Sequence, residues 1–149
     1  MIETIIEALS YHGRLQAEVE KKENMKEIVD NNELERWTFG INTNQLIELV
    51  LEGKKTATTY LYEDDEKYKE NDISILTDIN GNDVCLIQTK KIIITTFKNI
   101  TWDLAVLEGE NNSLDDWRKE HYNFFKKITP SFNKDTKVVF EIFEMINKL

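Results

Sequence analysis

The chain of 149 residues predicts an α+β domain, a small curved sheet or barrel surrounded by helices. Three observations carry this expectation. An amphipathic helix, with Leu46, Leu49 and Val50 on one side and Glu48 and Glu52 on the other, ends at Gly53 and runs into the threonine-rich strand Thr56-Ala57-Thr58-Thr59-Tyr60. Asn80-Gly81, a strong short hairpin signal, stands between the strand-like runs 73–77 and 84–88. A further helix over 114–128 precedes an alternating strand over 137–145. Helix, strand, strands, helix, strand is the order of an α+β fold.

Taken in order, residues 1–33 read as helix. Ile2, Ile5, Ile6 and Leu9 form an apolar stripe that Leu15, Val19, Met25, Ile28 and Val29 continue less regularly, with Gly13 as a divider. This predicts an N-terminal helical extension (1–33) on a domain of residues 34–149. The extension either packs on the domain or offers a partner surface, a homodimer included. Asn42, Thr43 or Asn44 N-caps the Leu46 helix. Gly53 holds the C′ position, where glycine takes the left-handed conformation without steric cost, and Lys54 and Lys55 follow it. The acidic run Glu63-Asp64-Asp65-Glu66 reads as a solvated loop, since it lacks the ligand alternation and glycine of an EF-hand. Residues 90–97 are rich in β-branched side chains and form another strand or a continuation past a bulge. Residues 100–107 read as a short helix. Ser113 with Asp116 resembles a capping box, and the helix it opens stops before Pro130. On the closing strand Val139, Glu141, Phe143 and Met145 share one face, and Val138, Phe140, Ile142 and Glu144 the other.

Composition narrows the function. Apolar residues at 40% and charged residues at 32% suit a folded globular chain. No run approaches the ~20 apolar residues of a membrane helix. The N-terminus has no basic stretch before its apolar residues, so a cytoplasmic protein without a signal peptide is expected. Cys85 sits among Val84, Leu86 and Ile87 as a buried strand thiol, and two histidines and one cysteine make no metal signature, so no cofactor is expected. The net charge is −9; residues 1–33 hold eight acidic and four basic groups, the remainder twenty and fifteen. A long basic track for duplex nucleic acid is therefore disfavoured, whereas a local pocket is not.

Five segments then resemble the ASCH domain of the PUA-like superfamily: 36–40 (RWTFG), 51–58 (LEGKKTAT), 108–110 (EGE), 117–125 (WRKEHYNFF) and 138–143 (VVFEIF). They come in the family's order and span roughly residues 34 to 146. No Gly-x-x-x-x-Gly precedes the lysine, so the glycine-lysine corner is no Walker loop. The resemblance implies a small β-barrel with a cleft near that corner, and RNA or a modified nucleoside as ligand. One branch hydrolyses the acetyl amide of cytidine acetylated on its exocyclic amine, and other members are linked to RNA cleavage. That branch's lysine and threonine fall on Lys55 and Thr58, and its glutamate on Glu108 or Glu110. Gly53, Lys54, Thr56, Trp37 and Tyr60 are the candidate substrate-binding residues. The wider family has an acid and an arginine where this chain has Thr58 and Tyr60, which resembles the threonine-type branch.

Amide hydrolysis needs a nucleophile, a group to take its proton and an acid for the leaving amine. Lys55, Thr58 and a glutamate supply an amine, a hydroxyl and a carboxyl. Positions 55 and 58 face opposite sides of a regular strand, so the scheme requires an irregular corner. The plain alternative makes Lys55 a solvated cation at a helix end and Thr58 an ordinary strand residue. His121, on an aromatic helix, reads as a hydrogen-bonded packing residue; Trp102 and Trp117 read as core, and Arg118 and Lys119 as surface charges. A non-catalytic RNA-binding or regulatory module and an RNA-cleaving enzyme are the competing functions.

Overall fold

Two long strands rich in β-branched and aromatic residues carry the sheet in the computed structural model, which describes residues 34–64 and 69–149. The helical extension expected over 1–33 lies outside the described residues. The elements are β1 (Arg36–Trp37), α1 (Thr43–Leu51), β2 (Ala57–Leu61), β3 (Ile73–Thr77), β4 (Asp83–Thr96), α2 (Trp102–Ala105), α3 (Leu114–Ile128) and β5 (Lys137–Lys148). The mixed sheet runs β1-β3-β4-β5-β2, with β1 parallel to β3 and every other pair antiparallel. The expected α+β architecture is thus present as a five-stranded mixed sheet with helices.

Asn80-Gly81 does join antiparallel strands, but through a wider loop than a two-residue turn. Gly81 alone of the pair takes a positive φ, 82°. The backbone N–H of Asp78 donates to the Asn82 carbonyl, and the Asp78 carboxylate accepts from the N–H groups of Asn80 and Asn82, each at 2.9 Å. A three-residue loop closed by a glycine results. The segment 90–97 proves to be the second half of β4. Its pairing with β3 ends at Gln88, a register shift between Thr89 and Lys91 marks a bulge, and pairing with β5 continues to Thr96. The bulge bends the strand as it leaves its first partner.

Alternation on β5 feeds two cores. Val138 and Phe140 enter one with Ala57, Phe97, Trp117 and Phe125; Phe143 enters the other with Phe39, Leu46, Val50 and Ile87. α1 therefore covers one core and α3 the other. At α1 no side-chain cap forms: Asn42 has φ 49°, and the Thr43 hydroxyl donates to the Phe39 carbonyl. Ser113 does cap α3, its hydroxyl accepting from the Asp116 N–H at 3.1 Å. The expected helix over 100–107 is α2 followed by a 3₁₀ turn, Val106–Glu108. That tightening delivers Glu108 inward. Among the described residues no helix is long and apolar enough to cross a membrane.

Candidate active site

The site begins with the end of α1. The Gly53 N–H bonds the Val50 carbonyl at 3.0 Å and the Lys54 N–H bonds the Leu49 carbonyl at 2.9 Å, a Schellman closure with Gly53 at φ 76°. The chain then enters β2, tied by the Thr56 N–H to the Leu107 carbonyl at 2.9 Å. From this corner Lys55, Ala57 and Thr59 fall on one side at period two. Ala57 and Thr59 are buried on that side, and Lys55 is only 2% exposed. The solvated-cation reading of Lys55 is thereby overturned.

A buried ammonium needs counter-charge. The turn after α2 supplies it. Gly109, at φ 71°, lets this turn lie against the Lys54–Lys55 backbone, where any Cβ would overlap the Lys54 carbonyl oxygen. Glu108 and Glu110 flank that glycine. Lys55 Nζ donates to Glu108 Oε1 at 3.1 Å and to Glu110 Oε2 at 2.7 Å, with the Phe39 ring centroid 5.4 Å away. Glu108, 1% exposed, is enclosed by further partners: Oε2 accepts from the Thr59 hydroxyl at 3.0 Å and the Trp117 indole N–H at 2.6 Å, while His121 Nε2 lies 3.4 Å from Oε1. His121 Nδ1 faces the Trp117 carbonyl at 2.8 Å, and its ring stacks on Trp117 with centroids 4.2 Å apart. The cluster joins the two cores, Phe39 belonging to one and Trp117 to the other.

The two carboxyls diverge in acidity. Burial pushes Glu108 up, but Lys55, His121 and the Trp117 indole together hold it well below the ordinary 4.5. Glu110 moves the other way, raised by burial and by the Glu108 charge against the pull of Lys55. Burial pulls His121 down, yet Glu108, Glu110 and the Trp117 carbonyl raise it above 6.5. Glu108, Glu110 and His121 bring ligand-type atoms within 4.8 Å of one another, but the Lys55 ammonium already supplies the cation at both carboxylates, so the donor set suits an ion-pair network better than a metal. Glu110 borders an open cleft of about 390 Å³, lined also by Asn42, Gln45, Glu48, Glu52 and Glu120 and, among the described residues, by no lysine or arginine.

A depressed carboxyl contributes stability that is complete above its unfolded value and is lost as pH falls through its folded one. For Glu108 the loss starts below 4.5, whereas Glu110 titrates above it with the opposite sign. The urea midpoint should therefore decline progressively below pH 4.5, and Glu108→Gln should flatten that decline. An unchanged slope in the variant would remove Glu108 from the linkage.

The sequence model of the ASCH domain matches residues 35–147. The chain belongs to the ASCH domain family. Its fold is similar to that of an ASCH domain from Lactobacillus crispatus JV V101, with 24% identity over 76% of this chain and 80% of that one and a TM-score of 0.70. A protein from Enterococcus faecalis V583 is similar at 27% identity, over 83% of this chain and 86% of that one, with a TM-score of 0.71. No curated protein matches the chain.

Within this ASCH domain the expected site residues separate. Lys55, Glu108 and Glu110 meet. Thr58 occupies the alternate position on β2, opposite Glu141 in the register, and it is Thr59 whose hydroxyl reaches Glu108. The corner keeps strand alternation from Lys55 onward, and that regularity is what parts Thr58 from the lysine. Tyr60 lies on the Thr58 side and donates to Glu141 Oε1 at 3.0 Å. Lys54 points to solvent and pairs with Glu52 at 2.9 Å. Gly53 and Thr56 shape the corner through their backbone bonds, and the Thr56 hydroxyl donates to the Leu107 carbonyl. Trp37 packs edge-on against Phe39 and Phe143, its indole donating to the Ser74 hydroxyl at 2.8 Å. Trp117 is core and site at once. Arg118, read as a surface charge, donates to the carbonyls of Lys98 and Ile100. Thr59, Gly109 and the approach of His121 to Glu108 escape a reading of the sequence. The Trp117–His121 spacing of four, one helical turn, signals only the stacking of the two rings.

Proposed function

We propose that this ASCH domain binds an uncharged nucleoside bearing an acyl amide on its base and hydrolyses that amide, with Glu110 as the proton-moving residue. The observation that carries the reading is Glu110 itself, a carboxyl of raised pKa that is held by a buried ammonium 2.7 Å away and borders the open cleft. A general acid–base needs a proton affinity near the working pH. Glu110 meets that condition better than Glu108, which is held low and already accepts from Lys55, Thr59 and Trp117.

In the proposed reaction the ionised Glu110 takes a proton from a water entering the cleft. The resulting hydroxide adds to the acyl carbon, and Glu110 returns the proton to the exocyclic nitrogen as the C–N bond breaks. Lys55 fixes the carboxylate, and Glu108 fixes Lys55. The acidic lining of the cleft favours a neutral nucleoside over a phosphodiester, because Glu48, Glu52 and Glu120 would repel phosphate.

The test is incubation with acylated nucleosides, their monophosphates and short RNAs, with products separated by chromatography. The parent nucleoside should appear from the uncharged substrates. Glu110→Gln should lower that turnover on the order of 10²–10⁴-fold with little change in thermal stability. RNA fragments with intact acylated nucleosides would favour the cleavage reading instead, and full turnover in Glu110→Gln would remove Glu110 from the chemistry.

A further inference from the structure

We infer that His121 is held as an imidazolium, Nδ1 donating to the Trp117 carbonyl and Nε2 ion-paired with Glu108, and that this fixed cation positions Glu108 and sets the charge felt by Glu110. The argument is geometric. Nδ1 lies 2.8 Å from the Trp117 carbonyl oxygen, which only accepts. Nε2 lies 3.4 Å from Glu108 Oε1, a carboxylate oxygen that already accepts from Lys55. A neutral imidazole has one N–H and one lone pair, so either neutral tautomer aims a lone pair at an oxygen. Only the doubly protonated ring satisfies both contacts.

The ring is also held against rotation. It stacks on the Trp117 indole at 4.2 Å with an interplanar angle of 19°, and Phe125 flanks it at 6.2 Å. An indole face attracts a cation, which adds to the preference for the charged form. His121 is 9% exposed, so water gives it little alternative.

The charged groups around the ring are Glu108 and Glu110, from the turn after α2, and Lys55, which shares Glu108 Oε1 with it. Its own helix contributes Trp117 and Phe125, neither of them charged. Lys55 and His121 against Glu108 and an ionised Glu110 make a balanced set. Removing the imidazolium proton leaves excess negative charge beside Glu110 and a lone pair against Glu108. His121 is thus a positioning residue. It holds the carboxylate that anchors Lys55, and its charge lowers the pH at which Glu110 ionises. That second role rests on the proposed place of Glu110 in the reaction; the protonation of His121 does not.

The test uses the full chain with isotopically labelled histidine, in which the two histidines, His12 and His121, are separated by comparison with His121→Gln. Nitrogen NMR at neutral pH should show His121 with both ring nitrogens protonated and a titration midpoint above the ordinary 6.5. A neutral tautomer at neutral pH overturns the inference. The side-chain carboxyl carbon of Glu110 is then titrated in the wild type and in His121→Gln. Its midpoint should move to higher pH in the variant, with His121→Asn as the alternative if the glutamine variant fails to fold. An unchanged or lower midpoint removes the positioning role. Neither measurement depends on turnover, so absence of hydrolysis leaves the inference standing, and a neutral His121 sinks it with hydrolysis intact.

Discussion

Lys55→Met should lower folding stability by about 3–5 kcal/mol, the range for breaking a buried ion pair by removing one partner. A residue of comparable length fills much the same space, so the loss is electrostatic rather than a cavity effect. Without the ammonium, Glu108 and Glu110 remain buried beside each other, with His121 still 3.4 Å from Glu108. A lysine that merely presented its amine to a substrate would contribute little to stability; burial at 2% exposure changes that expectation. The sign of the pH response should reverse as well. In the wild type acid weakens the fold through Glu108, whereas in Lys55→Met protonating a carboxyl relieves the uncompensated charge, so the deficit should narrow as pH falls. Urea unfolding of both proteins across the acid range checks both parts. A loss below about 1 kcal/mol, the value of an exposed pair, would mean that Lys55 is solvated after all.

What could be read in advance follows from where each signal is encoded. Gly53, Asn80-Gly81 and Ser113 announce a helix end, a hairpin and a helix start because glycine conformation and N-capping are local physics, decided within a few residues. The loop length at Asn80 was not legible, since it depends on Asp78 and Asn82 closing around it. Lys55 and the two glutamates were legible through the family resemblance, yet their burial was not. Burial comes from Gly109 seating one turn against another some fifty residues away in the chain. Thr59 is not legible because the hydroxyl that meets Glu108 is chosen by strand parity counted from Lys55, and that count depends on how regular the corner is. His121 followed the aromatic spacing of α3 and so resembled packing. The i to i+4 relation places it on Trp117 but says nothing of the carboxylate opposite.

Gly109→Ala should be far more damaging than Gly53→Ala, although both glycines have nearly the same backbone conformation. Their φ angles are 71° and 76°. A left-handed conformation costs an alanine roughly 1–2 kcal/mol, and at Gly53, where an added Cβ meets nothing within 4 Å, that should be the whole effect. At Gly109 the new methyl would overlap the Lys54 carbonyl oxygen, lie 2.8 Å from its carbon and 3.3 Å from the Lys55 nitrogen. Backbone cannot rotate aside as a flexible side chain can, so the turn must lift. Overpacking of this kind adds about 1–3 kcal/mol. Lifting the turn also strains the Thr56 N–H bond to Leu107 and draws Glu108 and Glu110 from Lys55, so the ionic network weakens with the contact that seats it. Gly109→Ala should therefore lose about 2–5 kcal/mol in urea unfolding, and the labelled His121 ring should titrate at lower pH as Glu108 moves away. Equal losses in the two alanine variants, with His121 unchanged in both, would show that the close approach at Gly109 neither seats the turn nor assembles the site.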